Sequence, residues 1–245
     1  MKNIKMTTSF EIQRITLYYA PDNASLVVRL LLEEAGLSYD TILVDRSANM
    51  QKSEQYLVLN PDGLIPVCII NNESVFETAA ILLSLADMHS ALTVPIDDRR
   101  RPQFLKYLFF LSNSLHSDLS KRFYPEKYVG DDAQAIHAFK NITLQRLHRR
   151  FKILDDIYRD SDTVYLFGTD PCIIDLYLAV CFRWAQLYPL DSRLGFTASA
   201  FAAITAMVEK LEQRQVVKKA CAKEGITGLF FSQPEYADPP EGVAL

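Results

Sequence analysis

The chain has 245 residues, 49% of them hydrophobic, with 8 glycines and 11 prolines, so it can bury one large core or two small ones and is not expected to hold long disordered stretches. Its formal net charge of −4, from 26 basic and 30 acidic residues, gives no general attraction to nucleic acid or to an anionic membrane. No apolar run reaches the roughly 18 residues of a membrane span, the polar start from Met1 to Arg14 lacks the apolar run of a signal peptide, and Cys68, Cys172, Cys181 and Cys221 form no C-x-x-C pair and have no zinc spacing with histidine; a cytoplasmic protein with reduced thiols and no metal is expected.

Ile15 to Tyr19 is a β-prone run that ends in the turn chemistry of Pro21-Asp22-Asn23. Ala24 to Ala35 reads as a helix. Leu26 and Leu30 lie on its wide apolar face, Glu33-Glu34 face water, and Gly36 stops it. Tyr39 to Val44 alternates as a strand, and Lys52 to Leu59 is a weak helix closed by Asn60-Pro61. Pro66 to Ile70 and Ser74 to Phe76 make a hairpin across Asn71-Asn72-Glu73, and Glu77 to Met88 is a helix. The order β-α-β-α-β-β-α, alternating and then ending in a hairpin, implies a mixed sheet with helices on both faces.

Pro95, Pro102 and the run Asp97-Asp98-Arg99-Arg100-Arg101 mark a linker over 91–101, with the arginines read as solvated charges. Beyond it every segment has helical period. Phe104, Leu108, Leu111, Leu115 and Leu119 repeat at three and four. Ala133 to Tyr158 is a long amphipathic helix, and Cys172 to Trp184, apolar nearly all round, is the expected buried centre of a bundle. Two shorter helices are predicted over Ala198 to Leu211 and Gln213 to Lys223. The fold class is α+β, with a mixed four-stranded sheet domain over 15–90 followed by an all-α domain over 102–228. An N-terminal arm over 1–14 and a draped or disordered tail over 229–245 flank them. Asp175 interrupts the apolar run of the buried helix. At the third helical position its carboxylate can accept first-turn N–H groups, with Cys172 at the N-cap, so a structural role is expected for it.

Certain local strings have the order and spacing of a known family. They are Tyr18-Tyr19-Ala20-Pro21, Leu32-Glu33-Glu34-Ala35-Gly36-Leu37, Asn60-Pro61-Asp62-Gly63-Leu64-Ile65-Pro66-Val67, Glu77-Thr78-Ala79-Ala80-Ile81 and Leu85-Ala86-Asp87. Leu115-His116 and Arg183-Trp184-Ala185 join them in the second half. Together they resemble the cytosolic glutathione transferases, the bacterial beta class best, over roughly Ile15 to Gly225. The resemblance implies a thioredoxin-like first domain, a homodimer, and glutathione as co-substrate for a hydrophobic electrophile or a peroxide. It implies a cis peptide before Pro66, which offers the backbone of Ile65 to the cysteinyl backbone of glutathione as a one-residue strand addition. It also places Glu77 at the γ-glutamyl ammonium and Thr78, at a helix start, at the γ-glutamyl carboxylate.

The chain departs from that pattern at the sulfur. The beta-class cysteine falls at Ala24, so a mixed disulfide with glutathione is not available there. A free thiol titrates near ~8.5, and a donor from the loop or strand end must stabilise the thiolate. Ser25, Asn23 and Tyr19 are the candidates, with Ser25 equally readable as a helix cap. The basic or polar partner of the glycyl carboxylate stays open among Arg46, Asn49 and Lys52. Phe109, Ser112, Asn113 and His116 share one predicted helix side, which, with Tyr107, would wall an apolar pocket for the second substrate. The alternative to an enzyme is a module of the same fold that acts through a partner.

Overall fold

The computed structural model describes residues 14–189 and 195–244; all of the N-terminal arm but Arg14 lies outside them. The first unit runs β1 (Ile15–Tyr19), α1 (Ser25–Glu34), β2 (Asp40–Leu43), α2 (Glu54–Leu59), β3 (Val67–Ile70), β4 (Glu73–Phe76) and α3 (Thr78–Met88). The sheet order is β2-β1-β3-β4, with β1 parallel to β2 and antiparallel to β3, and β3 antiparallel to β4. The mixed sheet follows from the connections. The helix α1 allows a parallel crossover, whereas the short link Asn71-Asn72, both residues with positive φ, allows only a hairpin.

Alternation along β1 sorts its two faces. Ile15, Leu17 and Tyr19 are buried in the main core. Tyr18 turns the other way, into a smaller cluster with Val44, Tyr56 and Val67 under α2. The helix α1 packs on α3 and on two helices of the second unit. Its Leu26, Val27, Val28, Leu30, Leu31 and Leu32 are inaccessible to solvent, which explains a wider apolar face than a surface helix needs.

The second unit is helical: α4 (Arg101–Phe110), α5 (Ser117–Phe123), α6 (Glu126–Val129), α7 (Ala133–Arg159), α8 (Ile173–Leu187), α9 (Ala202–Glu212) and α10 (Gln215–Ala222). Residues Leu111–His116 between α4 and α5 form a π-helical stretch in one continuous rod. The stripe Phe104, Leu108, Leu111, Leu115 and Leu119 is fully buried. Every residue of α8 except Gln186 is buried, as its all-round apolarity predicts. Asp175 closes the predicted capping box with Cys172. Its carboxylate accepts the N–H of Cys172 at 2.7 Å, the N–H of Leu166 at 3.0 Å and the hydroxyl of Tyr158 at 2.6 Å.

One expectation changes. Arg101 is not a solvated charge. It is buried and donates to Asp87 at 2.9 and 2.5 Å and to the Val94 carbonyl at 2.7 Å, tying the end of α3 to the start of α4. The described tail is draped over both units. Arg183 donates to the Glu235 carbonyl at 2.9 Å, Asp238 N–H reaches the Gly225 carbonyl at 2.9 Å, and Tyr19 donates to Glu241. Gly225 has a φ of +69°, and a Cβ there would run into the backbone of Asp238 and Pro239. Gly225→Ala is therefore expected to lift residues 229–244 while the helices stay folded. Hydrogen exchange should show faster exchange confined to the tail and to β2; an unchanged pattern would contradict this packing account.

Candidate functional site

A cleft of about 970 Å³ lies between the two units. Its floor is the loop from Asn60 to Pro66. Asn60 shapes the loop by accepting the N–H of Gly63 on its carbonyl at 2.9 Å and that of Asp62 on its side chain at 3.1 Å. Gly63 has a φ of +64°, and a Cβ there would stand 2.9 Å from the Gln51 carbonyl, so the turn requires glycine. The Leu64 carbonyl is occupied by Tyr56 Oη and Asn60 Nδ2, both at 2.8 Å. The next residue is the exception. The Ile65–Pro66 peptide is cis, both residues line the cleft, and among the described residues neither backbone polar group of Ile65 has a hydrogen-bond partner.

Beside this loop stands the N-terminus of α3. Glu77 and Thr78 line the cleft. Glu77 is an exposed non-glycine residue at φ 70°, a sparsely populated conformation that costs on the order of 1–3 kcal/mol and clusters at ligand sites. Thr78 opens the helix, where unpaired N–H groups and the helix dipole favour an anion.

The loop before α1 separates the three candidate thiol donors. The hydroxyl of Ser25 is fully buried, donates to the Ala20 carbonyl at 3.0 Å and accepts the Ala20 N–H at 3.3 Å. Tyr19 is also buried, with its hydroxyl on Glu241 and its ring under Arg29. Burial and the Glu241 carboxylate hold its proton well above the ordinary tyrosine range. Neither side chain lines the cleft. Asn23 does. Its Oδ1 accepts the Ala24 N–H at 2.7 Å, and its Nδ2 has no partner among the described residues.

The helical wall comes from the π-helical stretch and α8. Ser112, Asn113 and His116 line the cleft with Tyr177, Trp184 and Tyr188. Phe109 does not join them. It is 49% exposed and precedes the wider π turn, so a side assigned by α-helical spacing fails across that turn. Tyr107 is likewise off the wall, buried with Lys106 over its ring. The aromatic character comes instead from α8 and its C-cap, with Phe123 and Tyr124 at the end of α5. Tyr177 and Trp184 recur at seven residues, a one-sided signal inside a helix read only as core, and Tyr188 follows at its C-cap.

His116 Nδ1 lies 2.7 Å from the Tyr177 hydroxyl, and its ring packs on Trp184. Burial pushes its pKa down to about 4. The unfolded chain, with a histidine near 6.5, takes up the proton first as pH falls. Stability is therefore lost between about pH 6.5 and 4, by up to about 3 kcal/mol from this group. His116→Gln should flatten that part of the profile of urea midpoint against pH; an identical slope in the variant would contradict the burial argument.

The mouth is cationic. Arg46 and Lys52 line it, but Asn49 does not. Arg46 donates to the Ala244 carbonyl at 3.0 Å and to Tyr124 Oη at 3.2 Å, so the tail reaches this end of the cleft. Burial pushes the Cys68 thiol up to about 12 and raises Cys172, Cys181 and Cys221 as well, which leaves none of them a thiolate near neutral pH. Among the described residues no group of side chains suits a metal ion, and no helix is long and apolar enough to cross a membrane.

Residues 13–87 match the family model of the glutathione S-transferase N-terminal domain. The chain has the glutathione S-transferase fold. It is similar to glutathione S-transferase GST-4.5 of Xanthomonas campestris pv. campestris, at 27% identity over 86% of this chain and 98% of that protein. Among solved structures, the glutathione S-transferase of Xylella fastidiosa superposes with a TM-score of 0.74 at 25% identity, over 86% of this chain and 98% of that one. A sphingomonad glutathione S-transferase complexed with glutathione gives 0.71 at 25% identity, over 86% of this chain and all of that one.

Proposed function

We propose that this chain is a glutathione transferase, nearest the bacterial beta class but with Ala24 at the cysteine position. It binds glutathione along the cleft and stabilises its thiolate for attack on a hydrophobic electrophile or for peroxide reduction. The observation that carries the reading is the unpartnered backbone of Ile65 beside Glu77 and the first turn of α3. It offers a donor and an acceptor for a peptide backbone, a carboxylate for an ammonium, and N–H groups for a carboxylate. The free amide of Asn23 is the thiolate donor of the proposal. In conjugation the thiol proton passes to solvent, the thiolate sulfur bonds to the electrophilic carbon, and the leaving group departs with its electron pair.

Arg46 and Lys52 are the proposed partners of the glycyl carboxylate, in preference to Asn49. Tyr177, Trp184 and Tyr188, with His116 and Ser112, are the proposed walls for the second substrate, in place of Phe109. The protein is proposed to act in the cytoplasm as a homodimer, with a second copy covering exposed apolar side chains such as Phe76 and Phe109.

Calorimetric titration tests the binding half. Wild type should bind glutathione, and Thr78→Val, which keeps the shape and removes the hydroxyl, should weaken binding about tenfold, the scale of a hydrogen bond to a charged group. Equal affinity in the two proteins would contradict the role given to Thr78. A second reading, a glutathione-binding module without catalysis, is favoured by Ala24 and by the inward hydroxyl of Ser25. It predicts binding with no change in thiol titration.

A further inference from the structure

We propose that Asp22 is a positioning residue, through which the helical unit fixes Asn23 against the glutathione sulfur; this rests on the reading of Asn23 above. Asp22 is 5% exposed, sits at φ 48°, and belongs to the first unit. Yet each of its polar atoms is bonded to the second unit. Its N–H donates to Glu224 Oε2 at 2.9 Å, and its carbonyl accepts Trp184 Nε1 at 3.2 Å. Oδ1 accepts Arg183 Nε at 2.9 Å and Trp184 Nε1 at 3.1 Å. Oδ2 accepts Arg183 Nη2 at 2.8 Å and Tyr188 Oη at 2.9 Å.

The partners are themselves held. Arg183 is completely buried and donates to the carbonyls of Phe230 and Glu235. Glu224, also completely buried, pairs with Arg29 of α1 at 2.8 Å. The residue before Asn23 and the second turn of the helix after it are thus both anchored to the helical unit. The side chain of Asn23 makes only the local bond to the Ala24 N–H among the described residues, so the position of its free Nδ2 is set by the anchored neighbour. A buried ion pair adds little net stability over a well-packed apolar pair. What the bidentate Arg183–Asp22 geometry adds is a fixed orientation, and a misplacement of about 1 Å near the reacting atoms is enough to cost a large factor in rate. Trp184 and Tyr188 hold Asp22 and also wall the cleft, so a second substrate would rest on the side chains that position the donor.

Asp22→Asn and Asp22→Ala risk unfolding the protein, so the deciding variants are Tyr188→Phe and Arg183→Lys, with Asn23→Ala as reference. For each, the Tm, the titration midpoint of the bound glutathione thiol, and kcat and KM toward an activated aryl chloride are measured. Tyr188→Phe should raise the thiol midpoint by roughly half a unit and lower kcat about fivefold, with little change in KM for glutathione. In an Asn23→Ala background it should have no further effect on the midpoint. Variants that fold and lose Tm, but keep the midpoint and kcat, would make Asp22 a purely structural residue and overturn the proposal. A midpoint shift in Tyr188→Phe that persists in the Asn23→Ala background would overturn it too, because the effect would bypass Asn23. Failure of the Asn23 reading looks different: Asn23→Ala would then leave the midpoint at its wild-type value.

Discussion

Asp175→Ala is expected to destabilise the protein by about 3–5 kcal/mol, the scale of breaking a buried, fully bonded charged site. The carboxylate is inaccessible to solvent at the start of α8. Burial raises its pKa, and its bonds from Tyr158, Cys172 and Leu166 oppose that rise. Alanine removes the acceptor and leaves two backbone N–H groups and a tyrosine hydroxyl without a partner in a dry interior, at about 1–3 kcal/mol for each group taken alone. The loss is large because α8 is the element against which α1, α3, α4 and α9 pack. The Cys172 cap cannot compensate, since sulfur is a poor acceptor. In urea the midpoint should fall with little change in slope. Asp175→Asn, which keeps one carbonyl acceptor, should lose less. An unchanged midpoint in Asp175→Ala would contradict the account of α8.

Asn23→Ala is expected to raise the titration midpoint of bound glutathione by about one to two units, because a hydrogen bond to a charged acceptor contributes roughly 1.5–3 kcal/mol. At neutral pH kcat should fall tenfold or more, with KM for glutathione little changed, since the lost bond is to the sulfur and not to the peptide backbone. The variant also loses the side-chain bond to the Ala24 N–H, so about 1 kcal/mol of stability, the net scale of one hydrogen bond, should go with it. Asn23→Asp separates the two effects. It keeps an acceptor for the Ala24 N–H but presents a negative group to the sulfur, so it should retain stability and raise the midpoint further than alanine does. Ser25→Ala should leave the midpoint unmoved, because that hydroxyl is turned into the Ala20 backbone. A shift in Ser25→Ala and none in Asn23→Ala would reverse the assignment.

What could be read from the residues was whatever depends on local period and local chemistry. The leucine stripe from Phe104 to Leu119, the capping role of Asp175 and the mixed sheet all belong to that class, whereas the cis bond at Ile65–Pro66 was implied by the family resemblance alone. Side-chain direction was harder. Ser25, Asn23 and Tyr19 lie within a few residues of each other, and only tertiary packing decides that two of the hydroxyls turn inward and the amide faces the cleft. Phe109 was misplaced because helical spacing was carried across a π turn that nothing in its composition announces. Arg101 and Asp22 were missed because each forms its ion pair with a residue distant in sequence. Whether the tail was draped or disordered stayed open for a similar reason: its proline-bearing chain has no period, and its contacts include long-range bonds to Arg46, Arg183 and Tyr19.

The most direct test of the central claim is the ultraviolet absorbance of the thiolate in a mixture of the protein and glutathione, followed across pH with the protein in excess. The cleft predicts a midpoint about one unit or more below the ~8.5 of a free thiol. An unshifted midpoint, in a sample where calorimetry shows the glutathione to be bound, would contradict thiolate stabilisation and leave only a binding module.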